Sequence, residues 1–115
     1  MFYKCLCGEE IAKKELQAQR KEAEYLAEIR LGEHILFYTN LLWVRYIAYD
    51  QISNVYLKLE RGESGEFLTI ENYLMLRDIN GIDHSMRIEQ TDIARQVLAK
   101  VKERHPGITN IVPGR

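Results

Sequence analysis

Two cysteines near the N-terminus, Cys5 and Cys7, are the residues best suited to metal chemistry. A structural zinc site needs four ligands at suitable spacing, and the chain has no second cysteine pair. The histidines, at positions 34, 84 and 105, are scattered along the sequence. We therefore predict two reduced thiols on a short N-terminal segment and no metal or cofactor. Zinc bound between two chains of an oligomer is the alternative.

The segment Asp83-His84-Ser85 contains the residue types of a hydrolytic triad. Triads are assembled in space, so adjacency along the chain carries little weight, and strand alternation places His84 opposite Asp83 and Ser85. The segment 62–66 also lacks the closing glycine and the following helix of a nucleophile elbow. The sequence thus predicts a protein that is not an enzyme. A small enzyme or small-molecule binder with a pocket near His84 is the alternative.

Aromatic and basic residues occur together along the expected strands, where they could stack nucleic-acid bases. Nucleic-acid binders usually carry a basic excess, whereas this chain has a net charge of −1. We therefore expect the aromatic side chains to pack within the sheet and predict no nucleic-acid partner. The residues concerned are Trp43, Tyr46, Tyr49, Tyr56 and Tyr73, beside Arg45, Lys58 and Arg77.

The bulk composition is that of one ordinary globular domain. The chain has 115 residues, of which 46% are hydrophobic and 29% are charged, as is typical of folded domains. No stretch approaches the roughly 20 apolar residues that a membrane helix needs. Charge follows the N-terminus too soon for a secretory signal. We expect a soluble, cytoplasmic protein.

A long helix is expected over residues 9–30, which lack Pro and Gly and are rich in strong helix formers. Gly32 is its expected stop. The helix would be about 30 Å long at 1.5 Å per residue, and its apolar stripe is narrow. We hypothesise that this stripe contacts a second copy of the chain or a partner helix, with packing along its own sheet as the alternative. The candidate interaction surface consists of Leu16, Ala23, Leu26 and Ala27.

Five or six antiparallel strands are expected after the helix. Residues 34–49 are rich in β-branched and aromatic types, with Thr39-Asn40 separating two strands. Residues 52–59 predict the next strand, whose alternation breaks at Ser53-Asn54 as in a β-bulge. Residues 60–66 predict an exposed loop.

The last part of the chain predicts a hairpin followed by a second helix. Asn80-Gly81 stands between two strand-like runs, and both residues accept the positive φ that a tight hairpin turn requires. Thr91 is expected to cap a helix whose apolar residues recur at helical spacing. Pro106-Gly107 is expected to end that helix.

Three segments together form a recognisable pattern. Gly32-Glu33 opens an apolar strand, Thr39-Asn40 follows it, and residues 47–55 read Ile-Ala-Tyr-Asp-Gln-Ile-Ser-Asn-Val. With Arg45, the Asn80-Gly81 hairpin and the helix after it, this pattern resembles the bacterial PH-like (pleckstrin-homology-like) domain family. The resemblance covers residues 32–105.

The resemblance implies an α+β fold with a strongly bent antiparallel sheet. This sheet would form a partly open barrel, capped by the C-terminal helix and preceded by an extra N-terminal helix. The implied boundaries are an N-terminal segment 1–31, a PH-like domain 32–105 and a tail 106–115. Phosphoinositide-binding members use Lys and Arg in the first hairpin loop, and Thr39-Asn40-Leu41 contains neither.

The resulting hypothesis is a non-enzymatic binding or scaffold module. Family members of this type serve as such modules, and peptide addition at a sheet edge is one physical route. We expect a protein partner, or self-association into a homodimer, through the N-terminal helix or the sheet edge. A peripheral lipid-surface module is the remaining alternative.

Overall fold

The computed structural model describes residues 2–65 and 67–114. It is an α+β structure with eight strands and a C-terminal helix, which confirms the expected class. Neither α-helix within these residues is long and apolar enough to cross a membrane. In chain order the elements are β1 Phe2–Cys5, α1 Lys13–Glu22, β2 Glu24–Leu26, β3 Ile29–Leu31, β4 Ile35–Asn40, β5 Trp43–Ala48, a 3₁₀ turn Tyr49–Gln51, β6 Ile52–Ser64, β7 Phe67–Asp78, β8 Asp83–Ile88 and α2 Thr91–Arg104.

The strands form two separate sheets that do not close into a barrel, in place of the single bent sheet expected from the sequence. One sheet has the order β1-β5-β4-β3-β2 and the other has the order β6-β7-β8. The chain turns out of the first sheet at the 3₁₀ turn Tyr49–Gln51. The side of β5 that faces away from β4 pairs in parallel with β1. That position in the first sheet is therefore occupied, and β6 begins the second sheet.

The N-terminal helix is shorter than predicted. It ends at Glu22, and residues 24–31 form the β2–β3 hairpin instead of further helical turns. Ala27 takes a positive φ of 55° in the turn of this hairpin. Because β3 pairs with β4 and buries Ile29 and Leu31, tertiary pairing overrides the helix propensity of the segment.

The main core lies where the two sheets and α2 meet. Leu36 and Ile47 of the first sheet and Leu74 and Met86 of the second are fully buried there. A smaller cluster lies under α1, where Leu16 packs with residues of β4 and β5. From α2 the core receives Ala94, Val97 and Val101.

The C-terminal part of the chain follows the sequence closely, with differences at the hairpin turn and at the helix cap. The hairpin turn falls on residues 79–82, where Gly81 takes a φ of +83° but Asn80 does not take the expected positive φ, and the bulge falls between Ile52 and Asn54. α2 begins at Thr91, but its N-cap is Gln90. The Thr91 hydroxyl donates to Asn72 Oδ1 instead, which ties the helix to the second sheet.

Both expected domain boundaries are crossed by contacts within the chain. β3, from the segment before residue 32, pairs with β4. After α2, Ile108 is buried in the main core and Thr109 O accepts a hydrogen bond from Val55 N. The segments on either side of these boundaries therefore pack as one unit.

Candidate functional site

The four residues of the predicted interaction surface do not share a surface. Leu16 is 1% exposed and packs against Phe37 and its neighbours under α1. Leu26 is 7% exposed and belongs to the main core. Ala23 and Ala27 lie outside the helix, at its C-cap and in the β2–β3 turn. The prediction of one helical stripe is therefore wrong, because the hairpin redirects the chain after Glu22.

The longest strands of the protein extend well beyond its body. β8 pairs with β7 only from Asn72 to Arg77, whereas β6 and β7 stay paired out to Ser64 and Phe67. Residues 59–65 and 67–71 thus belong to a two-stranded projection, which we call the β-arm. The loop predicted over residues 60–66 is largely strand, with Glu66 outside the described residues.

One face of the β-arm carries three exposed apolar side chains. In antiparallel register, residues directly opposite one another share a face, and Leu57 opposite Leu74 belongs to the face that lines the core. The same face continues outward through Leu59, Ile70 and Leu68, which are 56%, 61% and 71% exposed, and the register places Arg61 opposite Ile70 and Glu63 opposite Leu68. The core-facing side of the sheet therefore runs out into solvent.

On the opposite face, polar side chains pair with one another at the base of the β-arm. Lys58 Nζ lies 2.8 Å from Glu60 Oε1, and the Tyr73 hydroxyl donates to Glu71 Oε2 at 2.6 Å. The hydrogen bond to Glu71 raises the pKa of Tyr73, together with burial. The exposed Leu and Ile side chains of the β-arm therefore all lie on the other face.

The two edges of the β-arm also differ. Along β6 the arm carries the charged residues Glu60 and Arg61, and charged side chains protect exposed strand edges from pairing. Along β7, residues 67–70 read Phe-Leu-Thr-Ile, with no charge and high strand propensity. The β7 edge of the arm is consequently the one open to a further strand.

A second feature is an open cleft of about 440 Å³ between α1 and the first sheet, which we call the basic cleft. Its basic residues come from α1 and β3, and no carboxylate lines it. Arg20 donates through Nη2 to Thr39 Oγ1 at 3.4 Å, a long hydrogen bond. The lining residues are Tyr3, Lys13, Gln17, Arg20, Lys21 and Arg30.

A third feature is an exposed apolar turn between β4 and β5. Leu41 and Leu42 are 90% and 71% exposed, and Leu41 has a positive φ of 52°. The exposed Trp43 ring lies 5.4 Å from the ring of Phe2 on the neighbouring strand β1. This apolar turn adjoins the basic cleft through Thr39, which contacts Arg20.

His84 and Asp83 have different partners in the structure, as strand alternation predicted. His84 Nε2 lies 2.8 Å from Asp78 Oδ2, while Asp83 forms an ion pair with Arg77 at 2.8 Å. Asp78 is buried, and its Oδ1 also accepts hydrogen bonds from Asn80 N and Ile82 N. Burial by itself would raise the pKa of Asp78, but the hydrogen bonds from His84 and the two amides hold it below its ordinary value. The hydrogen bonds of Asp78 therefore stabilise the β7–β8 turn.

The two cysteines have different surroundings. Cys7 is buried beside that turn, with Sγ 3.6 Å from Asn80 Nδ2. Burial, followed by the charge of Asp78, raises the pKa of Cys7 and keeps it as the neutral thiol. Cys5 is partly exposed, and its thiol donates to the carbonyl oxygen of Cys7 at 3.3 Å. Within residues 2–65 and 67–114, no three His, Cys, Asp or Glu side chains are grouped as metal ligands.

Most of the aromatic residues singled out in the sequence pack inside the protein. Tyr46, Tyr49 and Tyr56 are 2%, 5% and 8% exposed. The Tyr49 hydroxyl donates to Gly32 O at 2.8 Å, and burial raises its pKa strongly. Trp43 differs, because it stands at the exposed apolar turn.

Sequence reasoning missed the β-arm, although a signal was present. Leu57 and Leu59 continue the alternation of β6, and Leu68 and Ile70 begin that of β7. The charged residues between them suggested a loop, but β6 and β7 stay paired through these charged positions.

Comparison of the chain with protein-family models, curated proteins and solved structures finds no match.

Proposed function

We propose that this chain is a non-enzymatic interaction module that self-associates through its β-arm. The observation that carries the proposal is the three exposed apolar side chains Leu59, Leu68 and Ile70, two of which lie in the uncharged segment 67–70 of β7. This is the sheet-edge version of the function expected from the sequence. The resemblance to bacterial PH-like modules stays a prediction that agrees with a binding role.

The β-arm on its own is energetically incomplete. A two-stranded ribbon is marginally stable in water and needs a third strand or a packed face. Fully burying a Leu or Ile side chain contributes about 1.5–3 kcal/mol. Because the three side chains are between 56% and 71% exposed, covering each of them would contribute about 1–2 kcal/mol.

A second copy of the chain fits this surface better than an arbitrary partner. A two-fold axis through Thr69 would pair the β7 edges of two copies antiparallel. Leu68 would then lie opposite Ile70 of the partner subunit, and Ile70 opposite Leu68 of the partner subunit. Each apolar residue meets another on the same face, and the pairing at these three positions brings no like charges together. Self-complementarity of this kind is the defining property of an isologous dimer interface.

Sedimentation velocity over a concentration series tests the proposal with two matched variants. Ile70→Lys replaces one of the three exposed apolar side chains with a charge at the edge that would pair, and should abolish the dimer of the wild-type chain. Ile82→Lys is the control, because Ile82 is 56% exposed in the β7–β8 turn and Ile70 is 61% exposed. It should leave the dimer intact.

Two results would count against self-association. A wild-type chain that stays monomeric at high micromolar concentration has no such interface. Equal weakening by Ile70→Lys and Ile82→Lys would show that added charge acts without regard to the β-arm. Circular dichroism of both variants verifies that each keeps its fold.

A further inference from the structure

We propose that the basic cleft binds a multiply charged, phosphate-bearing anion. The cleft lies on the α1 side of the first sheet, whereas the β-arm belongs to the second sheet. The proposal is therefore independent of self-association, and either one can fail without the other.

The first argument is uncompensated positive charge. Lys13, Arg20, Lys21 and Arg30 line one cleft, and no Asp or Glu lines it with them. Among the described residues, the salt bridges of the chain use other basic side chains, including Lys58, Lys100 and Arg104. Four like charges around one cavity repel each other, and an anion between them would remove that cost.

The second argument is the incomplete hydrogen bonding of the Arg20 guanidinium. Its Nε is buried and has no hydrogen-bond partner among the described residues. Buried polar groups in native proteins are almost always paired, so an unpaired one calls for an explanation. An anion in the cleft would give this guanidinium the charged partner that the described residues do not provide.

The third argument concerns which anion fits. A cleft of about 440 Å³ is larger than a lone carboxylate needs and accommodates a diphosphate or a phosphorylated headgroup. Lys13 and Lys21 supply mobile point charges, and Gln17 supplies a neutral amide donor. This donor set suits a phosphate group with two or more negative charges.

Two sources could supply that group. One is a free polyphosphate anion in solution. The other is a phosphomonoester lipid headgroup, since the exposed Leu41 and Leu42 adjoin the cleft through Thr39 and could enter the acyl boundary of a bilayer. The binding chemistry in the cleft is the same for both.

Calorimetric titration of the full chain with inorganic pyrophosphate at low salt tests the cleft. Lys21→Gln removes a lining charge and should weaken binding about tenfold. Lys14→Gln is the matched control, because Lys14 is exposed on the same helix but does not line the cleft. Its affinity should stay within about twofold of wild type, as expected for a screened surface charge.

Flotation with vesicles distinguishes the sources. The vesicles contain phosphatidylcholine with or without phosphatidic acid, and a Leu41→Ser/Leu42→Ser variant is included. Binding of pyrophosphate alone supports the free-anion source, and additional vesicle binding that needs Lys21 and both leucines supports the headgroup source. Failure of the wild-type chain to bind either probe would overturn the proposal. Equal loss in Lys21→Gln and Lys14→Gln would also overturn it, because the effect would then come from net charge.

Discussion

Replacing Asp78 with alanine should strongly destabilise the fold, because this one buried carboxylate holds the β7–β8 turn together. Its Oδ1 accepts hydrogen bonds from Asn80 N at 2.9 Å and Ile82 N at 3.0 Å. Its Oδ2 lies 2.8 Å from His84 Nε2, and the side chain is 1% exposed. The substitution therefore removes the acceptor atoms for all three of these groups.

The magnitude follows from these three contacts. A hydrogen bond to a charged group contributes about 1.5–3 kcal/mol, and a buried donor left unpaired adds a similar cost. Since water enters part of the vacated space beside the turn, we expect Asp78→Ala to lower the free energy of unfolding by about 3–5 kcal/mol. Asp78→Asn keeps an oxygen for the two amides and should cost about 1–2 kcal/mol.

Urea unfolding followed by circular dichroism measures these changes, provided that the denaturant slope stays constant between variants. Asp83→Ala is the matched control in the same hairpin. The Asp83 side chain is 37% exposed, and its ion pair with Arg77 should contribute only about 0–1 kcal/mol. A loss for Asp78→Ala below about 1 kcal/mol, or equal to that for Asp83→Ala, would refute the reasoning.

The pH dependence of the same site has a definite sign. Burial favours the neutral form of Asp78, but its hydrogen bonds hold the folded pKa below the ordinary value of 3.8. A depressed pKa contributes stability that is present above pH 3.8 and is lost as pH falls through the folded pKa. The stability difference between the wild-type chain and Asp78→Asn should therefore shrink in that acidic range. A difference that grows there would contradict the assignment.

Two further predictions concern residues near the N-terminus. Leu16→Ala should cost about 2–5 kcal/mol of stability, as a fully buried leucine does, and should leave the oligomeric state measured by sedimentation unchanged. Dissociation without loss of stability would instead place Leu16 in an interface. In the Cys5→Ser variant, the buried Cys7 thiol should react with a disulfide reagent roughly tenfold more slowly in native protein than in urea. Equal rates would show that Cys7 is accessible.

Local chemistry was enough to predict the elements that carry their own signals. The Asn80-Gly81 turn, the bulge after Ile52, and α2 were all predicted from residue types at fixed spacing. The separation of His84 from Asp83 likewise follows from strand alternation. Each of these features depends on neighbours in sequence, so no knowledge of distant contacts is needed.

Tertiary structure alone decided the remaining features. The Ala- and Glu-rich segment after Glu22 favours a helix locally. In the structure, residues 29–31 instead pair with β4 as a strand, and Ile29 and Leu31 are buried. The β-arm depends on five paired positions between residues 60–64 and 67–71, and the basic cleft joins residues from α1, β1 and β3. Pairing and charge clustering of this kind depend on which segments, distant in sequence, lie close in space. Local residue patterns do not determine that proximity.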